Sequence, residues 1–180
     1  MMYIAFFRNV NLGHPKSPNR SQLEEAFLEA GAESAHSFQT NGTLVFSVTA
    51  PDNLETVVAD AWNTLHSVCG LQEPVFVSTR EHLAGLVAAD PFAGHASETV
   101  YEFCASFMPA EAYTRVPVPH WSPRRNVEVI QVTPQAVLCA SHIVNGRPGG
   151  VTPYLEKLVQ APVTTRSWGT IVRLVRKFSS

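Results

Sequence analysis

Residues 36–48 read HSFQTNGTLVFSV, with Thr40-Asn41-Gly42-Thr43 set between two apolar segments. Asn-Gly in that setting is a strong hairpin signal, because both central turn positions then tolerate φ above zero. The stretch predicts antiparallel strands over 36–39 and 44–48, joined by a tight turn at Asn41-Gly42. Toward the N-terminus, Ser21 and Glu24 have capping-box spacing, and Leu23, Ala26, Phe27 and Ala30 recur at helical spacing before Gly31. Ahead of that helix, residues 3–7 form a continuous apolar run suited to a central strand, followed by a loop rich in Gly, Pro and Asn over 9–19. Toward the C-terminus, Asp52 and Glu55 repeat the capping spacing. Leu54, Val57, Val58, Ala61, Leu65 and Val68 then make an apolar stripe ended by Gly70. A strand over 75–77 leads through Ser78 and Glu81, again at capping spacing, into a third helix carrying Leu83, Leu86 and Val87. The order β-α-β-β-α-β over residues 3–77 is the split βαβ arrangement of a ferredoxin-like subdomain.

The second half is a degenerate echo of the first, its opening helix replaced by a Pro-rich segment over 109–123. Strands are expected over 100–107, 127–132 and 137–143, the last two joined by Thr133-Pro134-Gln135. Two helices follow. The first has Thr152 as cap and Pro153 at its first position; the second buries Trp168, Ile171, Val172, Val175 and Phe178. The expectation is an α/β (α+β) protein of two ferredoxin-like-related subdomains, with mixed or antiparallel sheets and packed helices. The first spans residues 1–90 and the second 91–180.

A chain of 180 residues buries roughly 70% of its unfolded surface, and 45% hydrophobic with 16% charged residues is a globular composition. The opening MMYIAFF lacks a basic region and meets Arg8 at once, so it reads as a buried strand and not a signal peptide. No window is long and apolar enough for a membrane span. Cys69, Cys104 and Cys139 are odd in number and far apart, which points to a reducing cytoplasm. Net charge is −2, unevenly shared: residues 1–90 hold four Lys/Arg against ten Asp/Glu, and residues 91–180 hold nine against five. The halves then carry −6 and +4, which reads first as electrostatic complementarity between them and, as the alternative, as an anionic partner for the basic half.

Four short stretches together resemble the domain-of-unknown-function 1697 family. Residues 5–13, AFFRNVNLG, are similar to its apolar strand followed by Arg-Gly-Ile-Asn-Val-Gly-Gly. Residues 40–46, TNGTLVF, resemble its Gln-Ser-Gly-Asn-Val-Val-Phe hairpin. Residues 162–170, PVTTRSWGT, resemble Ala-Thr-Thr-Arg-Asn-Trp-Asn-Thr, and Asp90-Pro91-Phe92 resembles Asn-Pro-Phe. The resemblance implies two related α/β subdomains and no assigned activity. Arg8, Asn11, Gly13, Gly42, Thr165, Arg166 and Trp168 match the pattern. Asn9, Thr40, Thr43, Pro153, Ser167 and Gly169 depart from it, replacing family glycine or amide positions.

Candidate ligand-binding residues are Arg8, Asn11, Gly13, Arg147, Gly149, Gly150, Thr165 and Arg166. The tract 145–153, NGRPGGVTP, ends at a helix N-terminus, where free amides and the dipole favour an anion, with Arg147 adding charge. Arg8 follows a buried strand and Arg166 precedes the last helix, so each can present a guanidinium at a sheet edge. No Gly-x-Ser-x-Gly elbow occurs, and the seven histidines show no metal-ligand spacing. No catalytic motif, cofactor or metal site is expected. The leading expectation is a small phosphate- or carboxylate-bearing ligand at the seam of the two subdomains. The alternative is a protein or nucleic-acid interaction module using the basic second half, with Arg124, Arg125, Arg173, Arg176 and Lys177 on its surface.

Overall fold

The computed structural model describes residues 1–179 and divides into two units, Met1–Arg80 and Glu81–Ser180. In the first, strands β1 (Met2–Phe7), β2 (Ser34–Phe38), β3 (Thr43–Ser47) and β4 (Val75–Thr79) form a sheet ordered β2-β3-β1-β4. All three pairings are antiparallel, so β1 and β2 run parallel with β3 between them, as the split βαβ pattern requires. Helices α1 (Arg20–Glu29) and α2 (Leu54–Cys69) bury Leu23, Phe27, Val57, Ala61 and Leu65 in one core with Tyr3, Phe7, Leu44 and Phe46. Ile4, Phe6 and Val45, which alternate with those residues, are buried too, which is why β1 is apolar without a period of two.

Several local signals resolve differently from their sequence reading. The cap of α1 is Asn19, not Ser21: its side chain accepts from the Gln22 amide while Gln22 closes the box on Asn19. Glu24 accepts instead from the Ser37 amide at 2.9 Å. Residues Pro51–Asn53 form one 3-10 turn before α2, and no side chain caps that helix. Between β2 and β3 the loop has four residues, because Phe38 pairs with Thr43. Gln39 (φ 61°) and Gly42 (φ 73°) carry its positive φ values, and Asn41 does not. A Cβ on Gly42 would lie 2.8 Å from Val10 Cβ and 3.0 Å from Phe7 Cβ. The loop is thus fixed by its approach to the end of β1, where the Phe7 amide donates to Gly42 O at 2.8 Å.

In the second unit, helix α3 (Arg80–Ala88) precedes strands β5 (Val100–Phe107), β6 (His120–Trp121), β7 (Val127–Val132), β8 (Val137–Val144), β9 (Arg147–Pro148) and β10 (Thr164–Ser167). The sheet order is β10-β5-β8-β7-β6, with β9 pairing β8. Its four long members repeat the strand order of the first sheet, and a 3-10 turn at Ala110–Arg115 stands where the first helix would be. Helix α4 (Val151–Val159) buries Val151, Leu155 and Val159 with Cys104, Val129, Val137 and Cys139. Helix α5 (Trp168–Lys177) is capped by Ser167 and buries Thr170, Ile171, Leu174 and Val175; Trp168 is half-buried, edge-on to Phe92 at 5.1 Å. A register shift between Val100 and Glu102 puts Tyr101 on the surface, off the core face shared by a regular strand. Strand β10 had no sequence signal, since Thr-Thr-Arg-Ser lacks any apolar alternation.

Candidate functional site

The tract from 145 to 153 becomes a turn, a short strand and a helix start. Val144 pairs with Arg147, leaving Asn145 (φ 51°) and Gly146 (φ 74°) as a two-residue hairpin loop of the type Asn-Gly favours. Arg147 is then exposed on β9. Gly149 is buried against the loop before β7, where a Cβ would fall 1.9 Å from Asn126 O. Its amide donates to His142 O at 3.0 Å and its carbonyl accepts from Ser141 Oγ at 2.7 Å. Gly149 is therefore held by close packing against the Asn126 backbone and by hydrogen bonds through both its amide and its carbonyl. Gly150, not Thr152, is the N-cap of α4, and no side chain caps that helix. The first amides of the helix have no intrahelical acceptor, although Pro153 removes one donor.

Opposite this tract, Ser122 is 2% exposed and its Oγ accepts from the amides of Asn126 (3.2 Å) and Val127 (3.0 Å). The tight turn that results presents Arg124 and Arg125 at its tip. Arg125 lies over the Trp121 ring at 4.3 Å, while Arg124 stays clear. Two adjoining hollows open between the turn and the helix start. One, of about 550 Å³, is lined by Ser122, Pro123, Arg124, Asn126, Gly150, Tyr154, Lys157 and Leu158. The other, of about 600 Å³, shares Arg124, Asn126 and Gly150 and adds Val144, Asn145, Arg147 and Pro148. No Asp or Glu is among the residues lining either hollow. The side chains of Arg124, Arg147 and Lys157 form no hydrogen bond or ion pair with a described residue. Tyr154 bonds His120 Nε2 through its hydroxyl, and burial, then the Cys139 thiol, pushes its phenol up.

The remaining expected residues divide by position. Thr165 joins the α4 start: its Oγ1 accepts from Thr152 Oγ1 at 2.7 Å and meets Ser106 Oγ at 2.7 Å. Arg166 points to the other face of β10, because successive strand residues alternate. There it is 6% exposed, bonds Thr164 Oγ1 at 2.7 Å, and burial lowers its guanidinium to about 10, so it stays charged at neutral pH. In the first unit, Arg8 forms an ion pair with Glu73 at 2.8 Å. Asn11 and Gly13 are exposed; the Asn11 amide donates to Ser17 Oγ at 3.2 Å and the Gly13 amide to Pro18 O at 3.0 Å. Tyr154 and Lys157, which sequence reading passed over, carry the i, i+3 signature of one helix face, though nothing in sequence marks which face is open. Among the described residues, no group of His, Cys, Asp and Glu could hold a metal, and no helix is long and apolar enough to cross a membrane.

A family model described as "Protein of unknown function (DUF1697)" matches residues 1–137. The solved structure of the conserved bacterial protein SP0830 from Streptococcus pneumoniae is similar, with a TM-score of 0.67 and 14% identity over 97% of each chain. That likeness concerns the fold. No curated protein matches the sequence.

Proposed function

This chain belongs to the DUF1697 family of proteins of unknown function, and on that footing we propose that it binds a small phosphate- or carboxylate-bearing molecule in the basic groove of its second unit. One observation carries the reading: Arg124, Arg147 and Lys157 line two adjoining hollows without an acid among the lining residues. Unpaired like charges repel, and an anion that bridges them relieves the repulsion while gaining charge-assisted hydrogen bonds. The open start of α4 adds amides and the positive end of its dipole. Arg124 and Lys157 thus take the part that sequence reading gave to Arg8 and Arg166, of which the first is paired and the second faces away. We further propose a cytoplasmic location, which an odd number of cysteines far apart in the chain and the burial of Cys104 and Cys139 support.

A thermal-shift screen across inorganic phosphate, nucleotides and small carboxylates tests the reading. A ligand at a hundred times its dissociation constant adds about 2.7 kcal/mol of stability. The expected hit loses its effect in Arg147→Ala. A response that collapses steeply between low and physiological salt, with only long polyanions active, would instead support an extended nucleic-acid interface.

A further inference from the structure

Next to the groove, where Asn126 O accepts from the His142 amide, one hydrogen-bonded chain in the second unit has the order of groups that activates a hydroxyl. Thr99 Oγ1 lies 2.8 Å from His142 Nδ1, and His142 Nε2 lies 3.0 Å from Glu128 Oε1. An ionised carboxylate only accepts, so Nε2 carries the ring proton and Nδ1 receives the one that Thr99 donates. The His142 side chain is 4% exposed and its ring meets that of Trp121 at 4.7 Å, which fixes its plane. The far oxygen of Glu128 faces His95 Nδ1 at 3.8 Å. Both ends are tied to the sheet: the Ile143 amide donates to Thr99 O at 2.7 Å, and Val100 pairs with His142. Thr99 itself is exposed, with Ser97 Oγ at 3.1 Å from its hydroxyl oxygen.

We propose that Thr99 is a nucleophile for acyl transfer from esters with a small apolar acyl group, His142 its general base, and Glu128 the positioning residue that sets the tautomer. A hydroxyl held by a base that a third group orients is the arrangement such chemistry needs. Thr99 Oγ1 forms a bond to the acyl carbon as its proton passes to His142 Nδ1. The ester C–O bond then breaks and the leaving alcohol takes that proton. Water attacks the acyl-threonine with His142 again as base, releasing the acid and restoring Thr99, so the sum is ester plus water to acid plus alcohol. The acyl class follows from exposed apolar residues adjacent to Thr99 in chain and sheet: Tyr101, two positions along, is 60% exposed, and Ile143, whose amide donates to Thr99 O, is 40% exposed. No residue of the anion groove takes part, so the two proposals stand or fall separately.

The full chain incubated with p-nitrophenyl acetate tests this by p-nitrophenolate release and by peptide mass mapping. The expected result is an acetyl group on Thr99, kept in Thr99→Ser. Thr99→Val should lower release at least about a hundredfold while the circular dichroism spectrum stays that of the folded chain. Glu128→Gln should slow it at least about tenfold by releasing the tautomer. Acetylation confined to lysines or other side chains in the unsubstituted protein overturns the proposal, as does equal release by Thr99→Val.

Discussion

Replacing Gly149 by alanine tests how the groove is built. The added Cβ would sit 1.9 Å from Asn126 O and 2.6 Å from Asn126 C, both backbone atoms that cannot rotate away. Ordinary carbon–oxygen contact is well beyond 3 Å, so the loop must lift off or the turn before β7 must shift. Overpacking of that kind costs roughly 1–3 kcal/mol. Asn126 O also accepts from the His142 amide at 2.9 Å, and Gly149 O holds the Ser141 hydroxyl. Losing those two bonds adds about 1 kcal/mol each. The total is about 3–5 kcal/mol, a fall in melting temperature of roughly 6–20 °C for a chain of this size. Urea unfolding followed by circular dichroism measures it. A loss below about 1 kcal/mol would refute the close approach and, with it, the account of how the groove walls are held together.

Gly42→Val should destabilise by about 2–4 kcal/mol, since a β-branched residue at φ 73° meets Val10 and Phe7 as well as an unfavoured backbone region; a neutral result in urea would contradict it. Burial pushes the Tyr113 phenol up to about 12 and the Cys139 thiol to about 12. A raised acid keeps its proton longer in the folded chain, so this stability is complete below pH 9–10 and is lost as pH climbs toward 12. Urea midpoints across that range should fall, and by less in Tyr113→Phe; a flat profile would refute the assignment. Native protein should expose one fast-reacting thiol, Cys69, with Cys104 and Cys139 reacting only on unfolding, and simultaneous labelling of all three would count against the buried pair.

The fold was legible where burial imposes a pattern. The apolar run of β1, the stripe of α2 and the alternating β7 all follow from which faces meet the core, whereas β8 is buried on both faces over its first six residues. Caps and turns were less legible, because several polar residues compete for each orphan amide. Asn19 and Gln22 have the same capping spacing as Ser21 and Glu24 and take the cap of α1, while Gly150 rather than Thr152 opens α4. The two Asn-Gly pairs show the same limit. Asn145-Gly146 forms the two-residue turn, whereas Asn41-Gly42 is drawn into a longer loop by the end of β1. Of the candidate site, residues 145–150 were found from their Gly/Pro chemistry. Arg124 was visible only as a surface charge, and the chain Thr99–His142–Glu128 joins three separate segments that only sheet register brings together.

Titrating inorganic phosphate into isotope-labelled protein at low salt, with backbone amides followed by NMR, tests the anion groove most directly. Saturable shifts are expected, centred on residues 145–152 and 124–126 and abolished in the Arg124→Ala/Arg147→Ala double variant while the rest of the spectrum stays native. Absence of saturable shifts there, or shifts of equal size in the double variant, would contradict it.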